Sequence, residues 1–308
     1  MLRILCTCPP MIRSLHLLQD EFESRNAEVV VPDFSQIVPE EELIRMVGDY
    51  DGWIIGDDPA TRNVFEAGRR GKLRGAVKWG VGVDNVDFEG AKEFGYQVVN
   101  TPAMFNEEVA DVALAYVIML ARGLTDIDRG IRDGGWPKPV GMSLRGKTAG
   151  IVGYGNIGQA IGERLAAIGM KVVAYDPAGV SDSFAEHAAW PERLDEADFV
   201  VLTCALNKAT HHILRKETLS LMKPGVFVVN ISRGPLVDEE ALVEALKSGH
   251  VQGAALEVFE KEPLPADSPL RGLERCIFGS HNGSNTAEAV VRASRRAMEL
   301  LFNQFDPA

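Results

Sequence analysis

Residues Thr148–Asp176 read TAGIVGYGNIGQAIGERLAAIGMKVVAYD, and their hydrophobic pattern changes twice within this segment. The apolar run Thr148–Gly153 predicts a buried strand, and Lys171–Tyr175 predicts a second one. Between them, four apolar residues recur at helical spacing, and Gly169 is well placed to end that helix. These four residues are Ile157, Ile161, Leu165 and Ile168. The segment therefore predicts a strand–turn–helix–strand unit with parallel strands.

The turn of this unit has the pattern GxGxxG. The first glycine permits a tight turn, the second lets the backbone approach a pyrophosphate, and the third lets the helix pack closely on the strand. The first N–H groups of the helix and its partial positive charge attract phosphates. In this setting the pattern predicts a dinucleotide site. The predicted contacts are Gly153, Tyr154, Gly155, Asn156, Ile157 and Gly158.

Asp176 ends the second strand of the unit, about 20 residues beyond the glycine turn. A carboxylate at this place accepts hydrogen bonds from ribose hydroxyls and repels a 2′-phosphate. The following residues, Pro177–Gly179, include no arginine or lysine that could hold such a phosphate. We therefore predict NAD rather than NADP as the cofactor. The alternative is a glycine-rich turn in an α/β fold that binds no cofactor.

Strand-like and helical segments alternate along the rest of the chain, which predicts the α/β class with parallel sheets. The pattern divides into two α/β units, at about 1–100 and 101–283. A last helical stretch, 286–305, could return to either unit. The other predicted strands are Leu2–Leu5, Val29–Val31, Trp53–Gly56, Ala76–Trp79, Gln97–Asn100, Phe199–Thr203, Val226–Asn230, Gly253–Leu256 and Cys276–Gly279.

Composition limits the function classes. The 308 residues are 46% hydrophobic and 25% charged, and they carry a formal net charge of -12. An acidic surface repels nucleic acid and anionic lipid, so we expect neither as a partner. The longest apolar run is too short to cross a bilayer and no targeting signal is evident, so we expect a cytoplasmic protein. The four cysteines lack the spacing of a metal site, and we expect no metal.

Several spaced blocks accompany the glycine turn: Lys78–Asp87, Asn100–Pro102, Asn230–Gly234, Glu257–Pro263 and Ser280–Gly283. Together they resemble the D-isomer-specific 2-hydroxyacid dehydrogenases, and the phosphoglycerate dehydrogenase branch is the most similar. The resemblance implies two Rossmann-like or flavodoxin-like domains with an interdomain cleft. The substrate domain would comprise 1–100 plus 284–308, and the NAD domain 101–283. Because the chain ends at Ala308, we expect a short form without a regulatory domain.

The family's catalytic residues are an arginine, a glutamate and a histidine, which correspond to Arg233, Glu262 and His281. The resemblance implies that His281 exchanges a proton with the substrate oxygen while Glu262 orients the imidazole and favours its charged form. Arg233 would bind the substrate carboxylate in a bidentate manner. Taken singly, each has a structural alternative: a satisfied strand-end histidine, a solvated loop glutamate, or an arginine paired with Asp238.

The resemblance also implies further cofactor and substrate contacts. Cofactor contacts are expected at Thr203, Cys204, Ser232 and Glu257, although the family usually has Asp in place of Glu257. The basic residues just before the substrate loop suggest an anionic tail on the substrate, such as a phosphate, or else a solvated basic face. Trp79 is bulky and would narrow the pocket. The substrate set is Lys78, Trp79, Gly80, Val81, Gly82, Arg233 and His281, and the basic residues are Arg69, Arg70, Lys72 and Arg74.

The predicted activity is the NAD-dependent interconversion of a D-2-hydroxy acid, such as 3-phosphoglycerate or another small anionic acid, and its 2-keto acid. The resemblance also implies a homodimer, because an apolar helix such as the one over 107–118 builds the dimer in this family. Two alternatives stay open. One is an NAD-sensing corepressor with little turnover, and the other is oxidation of an inorganic or one-carbon anion.

Overall fold

The computed structural model describes residues 1–34 and 36–305, and it separates into two compact units. One unit is Met1–Phe105 together with the segment that starts at Asn285, and the other is Asn106–Ser284. Each unit has its own parallel sheet and its own hydrophobic core. The predicted α/β class with parallel sheets is confirmed. Within the described residues, no helix is long and apolar enough to cross a membrane.

The first unit has a five-stranded sheet with the order β2-β1-β3-β4-β5. Its central strands are buried on both faces, as expected where helices cover a parallel sheet. The strands are β1 (Leu2–Cys6), β2 (Ala27–Val30), β3 (Gly52–Ile55), β4 (Gly75–Lys78) and β5 (Val99–Asn100). The helices are α1 (Pro9–Arg13), α2 (Gln19–Glu23), α3 (Glu40–Met46), α4 (Arg62–Arg70) and α5 (Phe88–Glu93).

The second unit has seven parallel strands with the order β12-β11-β10-β9-β6-β7-β8, a doubly wound arrangement. The strands are β6 (Thr148–Val152), β7 (Lys171–Tyr175), β8 (Glu186–His187), β9 (Phe199–Leu202), β10 (Val226–Asn230), β11 (Val251–Leu256) and β12 (Cys276–Phe278). The helices are α6 (Asn106–Arg122), α7 (Leu124–Arg132), α8 (Asn156–Ala167), α9 (Lys216–Ser220) and α10 (Glu239–Ser248). The chain then returns to the first unit with α11 (Ala287–Phe302).

Local sequence explains where the long helices begin. Asp238 accepts a hydrogen bond from the N–H of Ala241 and caps α10, whereas Gly249 ends that helix in a left-handed conformation. Thr286 caps α11 in the same way. Two short elements, α7 and β8, were not predicted. α7 buries none of its residues, and β8 is a two-residue exposed edge strand, so neither depends on an apolar pattern.

Candidate active site

The predicted cofactor and catalytic residues of the second unit follow neighbouring strands at the carboxyl edge of one sheet. Asp176 follows β7, and the glycine turn follows β6. Thr203 follows β9, Arg233 follows β10, and His281 follows β12. Ligands of doubly wound folds bind beyond this edge, where the strand order reverses. The fold therefore brings the predicted residues to one edge, although they span more than 100 positions of the chain.

The glycine turn has the close contacts that its pattern predicts. Gly153 has a φ of +90°, and a Cβ there would lie 2.5 Å from the backbone N of Cys204. A Cβ on Gly158 would lie 2.3 Å from the carbonyl oxygen of Gly153, so only glycine lets the helix pack this closely. A Cβ on Gly155 would instead meet open space. The side of the turn at Gly155 is thus accessible to a ligand.

Helix α8 presents unpaired N–H groups at this accessible side. Gln159 donates to the carbonyl of Gly155. The preceding N–H groups of Asn156, Ile157 and Gly158 have no acceptor in the part of the chain that the structure describes. Such groups at the start of a helix form an anion site. The turn therefore fits a pyrophosphate, as the sequence predicts.

Tyr154 and Asp176 bind to each other across the turn. The N–H of Tyr154 donates to Oδ2 of Asp176 at 2.6 Å, and the phenol hydroxyl donates to Asp182 at 3.3 Å. The tyrosine ring is buried against Gly162, where a Cβ would lie 2.3 Å from its hydroxyl oxygen. This geometry does not support the predicted direct contact of Tyr154 with the phosphates, because both of its polar groups are already paired. The N–H of Tyr154 instead holds Asp176 beside the turn.

Thr203, Cys204 and Ser232 lie in the middle of the carboxyl edge of this sheet, where hydrogen bonds join neighbouring loops. The hydroxyl of Thr203 donates to the carbonyl of Gly153, and Oγ of Ser232 donates to the carbonyl of Cys204 at 2.6 Å. Burial raises the pKa of the Cys204 thiol to about 11, so it is neutral at physiological pH. These residues form a tightly bonded, uncharged stretch between the glycine turn and Arg233.

Glu262 and His281 form a hydrogen-bonded pair. Oε2 of Glu262 lies 2.8 Å from Nδ1 of His281, and Oε1 accepts the N–H of Phe259 at 3.0 Å. The glutamate is thus held by its own loop and directs the imidazole ring. Both side chains are about one-third exposed, at 33% and 35%. With Nδ1 turned to the carboxylate, Nε2 is directed away from it and is placed for proton exchange.

Arg233 is held by the buried Asn230, which was not among the predicted site residues. Nδ2 of Asn230 donates to the carbonyl of Arg233 at 2.8 Å, and its Oδ1 accepts the N–H of Ser232 at 3.1 Å. A Cβ on Gly234 would lie 1.8 Å from the carbonyl carbon of Phe259. This close approach places the turn that carries Arg233 against the start of the Glu262 loop.

Glu257 has a different environment from the predicted one. Its carboxylate, in a residue only 4% exposed, accepts a hydrogen bond from the Tyr116 hydroxyl and another from the N–H of Asn282 at 2.5 Å. Its carbonyl accepts the N–H of His281 at 2.8 Å. This geometry does not support the predicted nicotinamide contact, because the carboxylate is bonded inside the unit. Glu257 instead connects α6 to both peptide groups beside His281.

The hydrogen bond from Tyr116 to Glu257 was not predicted either, because the sequence of α6 indicates an apolar helix and the two residues are 141 positions apart. Burial and the neighbouring Glu257 carboxylate raise the pKa of Tyr116, so the phenol stays a donor. The contact is relevant to the site because His281 has a left-handed φ of +55°, which is uncommon for a residue with a side chain. Bonds on both sides of His281 hold this conformation.

The predicted substrate loop follows β4 in the first unit. The N–H groups of Trp79 and Gly80 are already used, by the carbonyl of Ile55 at 3.0 Å and by Oγ1 of Thr101 at 2.8 Å. Among the described residues, the N–H groups of Val81 and Gly82 have no acceptor. These two N–H groups are therefore among the donors that this loop can offer to a carboxylate.

The side chains of Lys78 and Trp79 point into the first unit. The indole packs on Phe105 and donates to Oγ of Ser294 at 3.1 Å, so it belongs to the core and the expectation that it narrows a pocket is not supported. Lys78 is 3% exposed. Its Nζ donates to the carbonyl of Gly56 at 2.6 Å and to Oδ1 of Asp57 at 3.1 Å.

The basic cluster predicted to hold an anionic tail is at the wrong edge of the sheet. Arg69 and Arg70 end α4, which precedes β4, whereas the substrate loop follows β4. The N–H of Arg74 bonds to the carbonyl of Asp51, just before β3 begins, which places it at the amino edge. Since β4 has four residues and each rises roughly 3.3 Å, the cluster and the loop are more than ~10 Å apart. The interpretation as a solvated basic face fits these residues.

Comparison with known proteins identifies the family. The family model "D-isomer specific 2-hydroxyacid dehydrogenase, NAD binding domain" matches residues 114–283. The hydroxypyruvate reductase of Thermotoga maritima is 36% identical over 277 residues, which are 88% of this chain and 90% of that protein. The glyoxylate reductase of Korarchaeum cryptofilum is 35% identical over 300 residues, 94% and 88% of the two chains.

A longer relative and a relative of known structure support the same family assignment. The D-3-phosphoglycerate dehydrogenase of Methanocaldococcus jannaschii is 36% identical over 98% of this chain, which spans 57% of that longer protein. The crystal structure of NAD-dependent formate dehydrogenase from Staphylococcus aureus in complex with NAD superposes with a TM-score of 0.87, at 28% identity, over 99% of this chain and 96% of that one. The chain therefore belongs to the D-isomer specific 2-hydroxyacid dehydrogenase family and is an NAD-dependent oxidoreductase.

Proposed function

We propose that this enzyme reduces a small 2-keto acid, of the kind named for its hydroxypyruvate and glyoxylate reductase relatives, to the D-2-hydroxy acid. The observation that supports this most directly is the His281–Glu262 pair at the edge that also carries the glycine turn. An imidazole held by a carboxylate can donate a proton to a keto oxygen and recover it in the reverse reaction. A corepressor without turnover would have no use for this pair.

The roles of the residues follow from their chemistry. As hydride reaches the keto carbon, negative charge develops on the oxygen, and His281 donates the proton that neutralises it. Glu262 stabilises the charged imidazolium through its 2.8 Å contact. Arg233 binds the substrate carboxylate and polarises the carbonyl, which a planar guanidinium does better than an ammonium group.

When bound, the cofactor would supply hydride as NADH for the reduction and would accept hydride as NAD⁺ in the reverse reaction. We propose that the N–H groups of Asn156, Ile157 and Gly158 hold its pyrophosphate, and that Asp176 accepts hydrogen bonds from the adenosine ribose. The second unit, 106–284, would then be the NAD-binding domain and the first the substrate domain. Because Asp176 carries a negative charge next to this ribose, a 2′-phosphate is disfavoured.

A substrate panel tests this proposal. Glyoxylate, hydroxypyruvate and pyruvate are incubated with the enzyme and NADH, and oxidation is followed at 340 nm. We expect turnover of at least one of the three and a kcat/KM with NADH at least about 100-fold above that with NADPH, equivalent to about 2.7 kcal/mol. Absence of turnover on every keto acid, with NADH binding intact, would contradict the proposed function.

We further propose that the enzyme is a homodimer. The family resemblance implies this for the helix over 107–118, and the segment that follows α6 carries exposed apolar side chains. Trp136 is 77% exposed, and Val140 is fully exposed. Leu124 and Ile131 of α7 are also exposed. Exposed apolar side chains concentrated in one segment of an otherwise acidic chain are typical of a protein interface.

Replacing Trp136 by Ser tests the dimer. A buried interface tryptophan typically contributes at least about 2 kcal/mol, so we expect the dimer dissociation constant to rise by about 30-fold or more. Sedimentation velocity over a concentration series measures this constant. Phe184→Ser, which removes another exposed aromatic ring of the same unit, is the control and is expected to leave the dimer intact. A wild-type protein that sediments as a monomer at all concentrations would contradict the proposal.

A further inference from the structure

The loop that carries Glu262 is shaped by side-chain hydrogen bonds. Its residues 258–263, all within the described part of the chain, form neither helix nor strand. Inside the loop, the N–H of Phe259 donates to Oε1 of Glu262 at 3.0 Å. The next N–H along the chain, that of Glu260, donates to Oε1 of Glu239 at 2.7 Å. Two successive peptide groups are therefore bound by two glutamate carboxylates, one inside the loop and one outside it.

Glu239 belongs to the segment that also carries Arg233. It is the first residue of α10, shortly after Arg233 in the chain, and it is half-buried. Gly234 lies between them and is the residue whose backbone touches Phe259. The Arg233 segment therefore meets the Glu262 loop at two successive loop residues, by a backbone contact at the first and by a hydrogen bond at the second.

The position of Glu239 is electrostatically unfavourable without this hydrogen bond. Burial and the negative charges of Glu260 and Glu262 raise the pKa of Glu239, whereas the N–H of Glu260 lowers it. The Glu260 side chain is turned to His212, with 2.7 Å between its Oε1 and Nε2 of the imidazole. Since like charges at short distance repel, the hydrogen bond has to offset this repulsion to keep Glu239 beside the loop. The contact between α10 and the loop thus depends on this bond.

We propose that Glu239 is a positioning residue that holds Glu262 against His281 by anchoring the peptide group of Glu260. This inference rests on the proposed function, in which His281 exchanges the proton, and Glu239 acts through Glu262 rather than on the substrate. Without the anchor the loop moves, and the 2.8 Å contact between Glu262 and the imidazole is populated for less of the time. Because misplacing a catalytic group by about 1 Å can cost about 100-fold in rate, we expect a partial loss of the contact to lower kcat by about tenfold.

Two substitutions separate anchoring from an effect of the charge. Glu239→Gln keeps an acceptor of the same length, whereas Glu239→Asp keeps the charge at the start of α10 but is one carbon shorter and loses the bond to Glu260. With NADH and the keto acid that the wild type reduces fastest among glyoxylate, hydroxypyruvate and pyruvate, we expect Glu239→Gln to keep kcat within about threefold and Glu239→Asp to lower it by about tenfold. The dissociation constant of NADH should change by less than about threefold in both. If Glu239 only stabilised the helix dipole, this order would be reversed.

Glu240→Asp is the matched control, because Glu240 is the next residue of α10 and is exposed, and we expect its kcat to stay within about twofold of wild type. A double-mutant cycle with Glu262→Ala tests the route of the effect. If Glu239 acts through Glu262, adding Glu239→Asp to Glu262→Ala lowers kcat by less than about twofold further.

Three results would overturn the inference: a full tenfold further loss in the double variant, wild-type kcat in folded Glu239→Asp, or a lower kcat in Glu239→Gln than in Glu239→Asp. In each of them the wild-type enzyme would still reduce keto acids, and the proposed function would stand. Failure of the wild-type enzyme to reduce any keto acid would instead refute the proposed function itself.

Discussion

Replacing His281 by Asn is expected to lower kcat by about 1,000-fold, within the usual range for loss of a general acid. Asn cannot exchange a proton near neutral pH, but its amide can still bond to Glu262. It also tolerates the left-handed φ of +55° better than most residues, so the loop should keep its conformation. Because the proposed pyrophosphate and ribose contacts are on other strands, we expect the dissociation constant of NADH to change by less than about threefold.

The chain contains a matched control for this experiment. His212 also has a left-handed φ, of +49°, and its Nε2 lies 2.7 Å from Oε1 of Glu260, two residues before Glu262. His212→Asn therefore makes the same chemical change in a similar His–Glu pair, and we expect its kcat to stay within about twofold of wild type. Stopped-flow single turnovers separate the chemical step from product release. A His281→Asn enzyme with wild-type turnover would remove the imidazole from the mechanism.

The fold and the cofactor turn were predictable because their causes are local. A buried parallel strand needs a short apolar run, and a phosphate-binding turn needs glycines at fixed spacing, so both are visible in Thr148–Asp176. Most strand bounds differ from the prediction by one or two residues, since strand ends depend on the neighbouring strands. β11 begins at Val251 rather than Gly253 because its pairing with β10 shifts register at that end.

The differences between the sequence-based expectations and the observed contacts concern side-chain direction and distance across the fold. The cluster Arg69–Arg74 is adjacent in sequence to the substrate loop, but a strand separates the two and moves them to opposite edges of the sheet. Likewise, Lys78 and Trp79 occupy the expected loop, but the side chains turn inward to Asp57 and Ser294. A pattern of single residues cannot show to which side of a loop a side chain turns.

Glu257 is the clearest case of a tertiary effect, and it leads to the second large prediction. Glu257→Ala should lower the free energy of unfolding by about 3 kcal/mol, because it leaves the buried Tyr116 hydroxyl and the Asn282 N–H without this acceptor and opens a cavity. It should also lower kcat by about 100-fold, since the bonds that hold His281 at its left-handed φ are weakened. Denaturant unfolding measures the first effect, and steady-state kinetics below the melting temperature measures the second.

Two variants and one binding measurement distinguish positioning from cofactor contact. Tyr116→Phe removes only the phenol hydroxyl, so the bond from Asn282 to Glu257 persists and we expect kcat to fall by less than about tenfold. Glu257→Gln keeps the shape of the side chain and should lie between Tyr116→Phe and Glu257→Ala in stability.

If Glu257 positions His281, the dissociation constant of NADH stays within a few-fold of wild type in all three variants. If the carboxylate instead binds the nicotinamide amide, loss of that charged hydrogen bond weakens NADH by about 10-fold to 100-fold while the unfolding free energy barely changes. A positioning role thus changes the free energy of unfolding and not the NADH dissociation constant, whereas a cofactor contact changes the dissociation constant and not the free energy of unfolding. The reason is that a bond inside the protein stabilises the fold with or without the cofactor, whereas a bond to the cofactor stabilises only the complex.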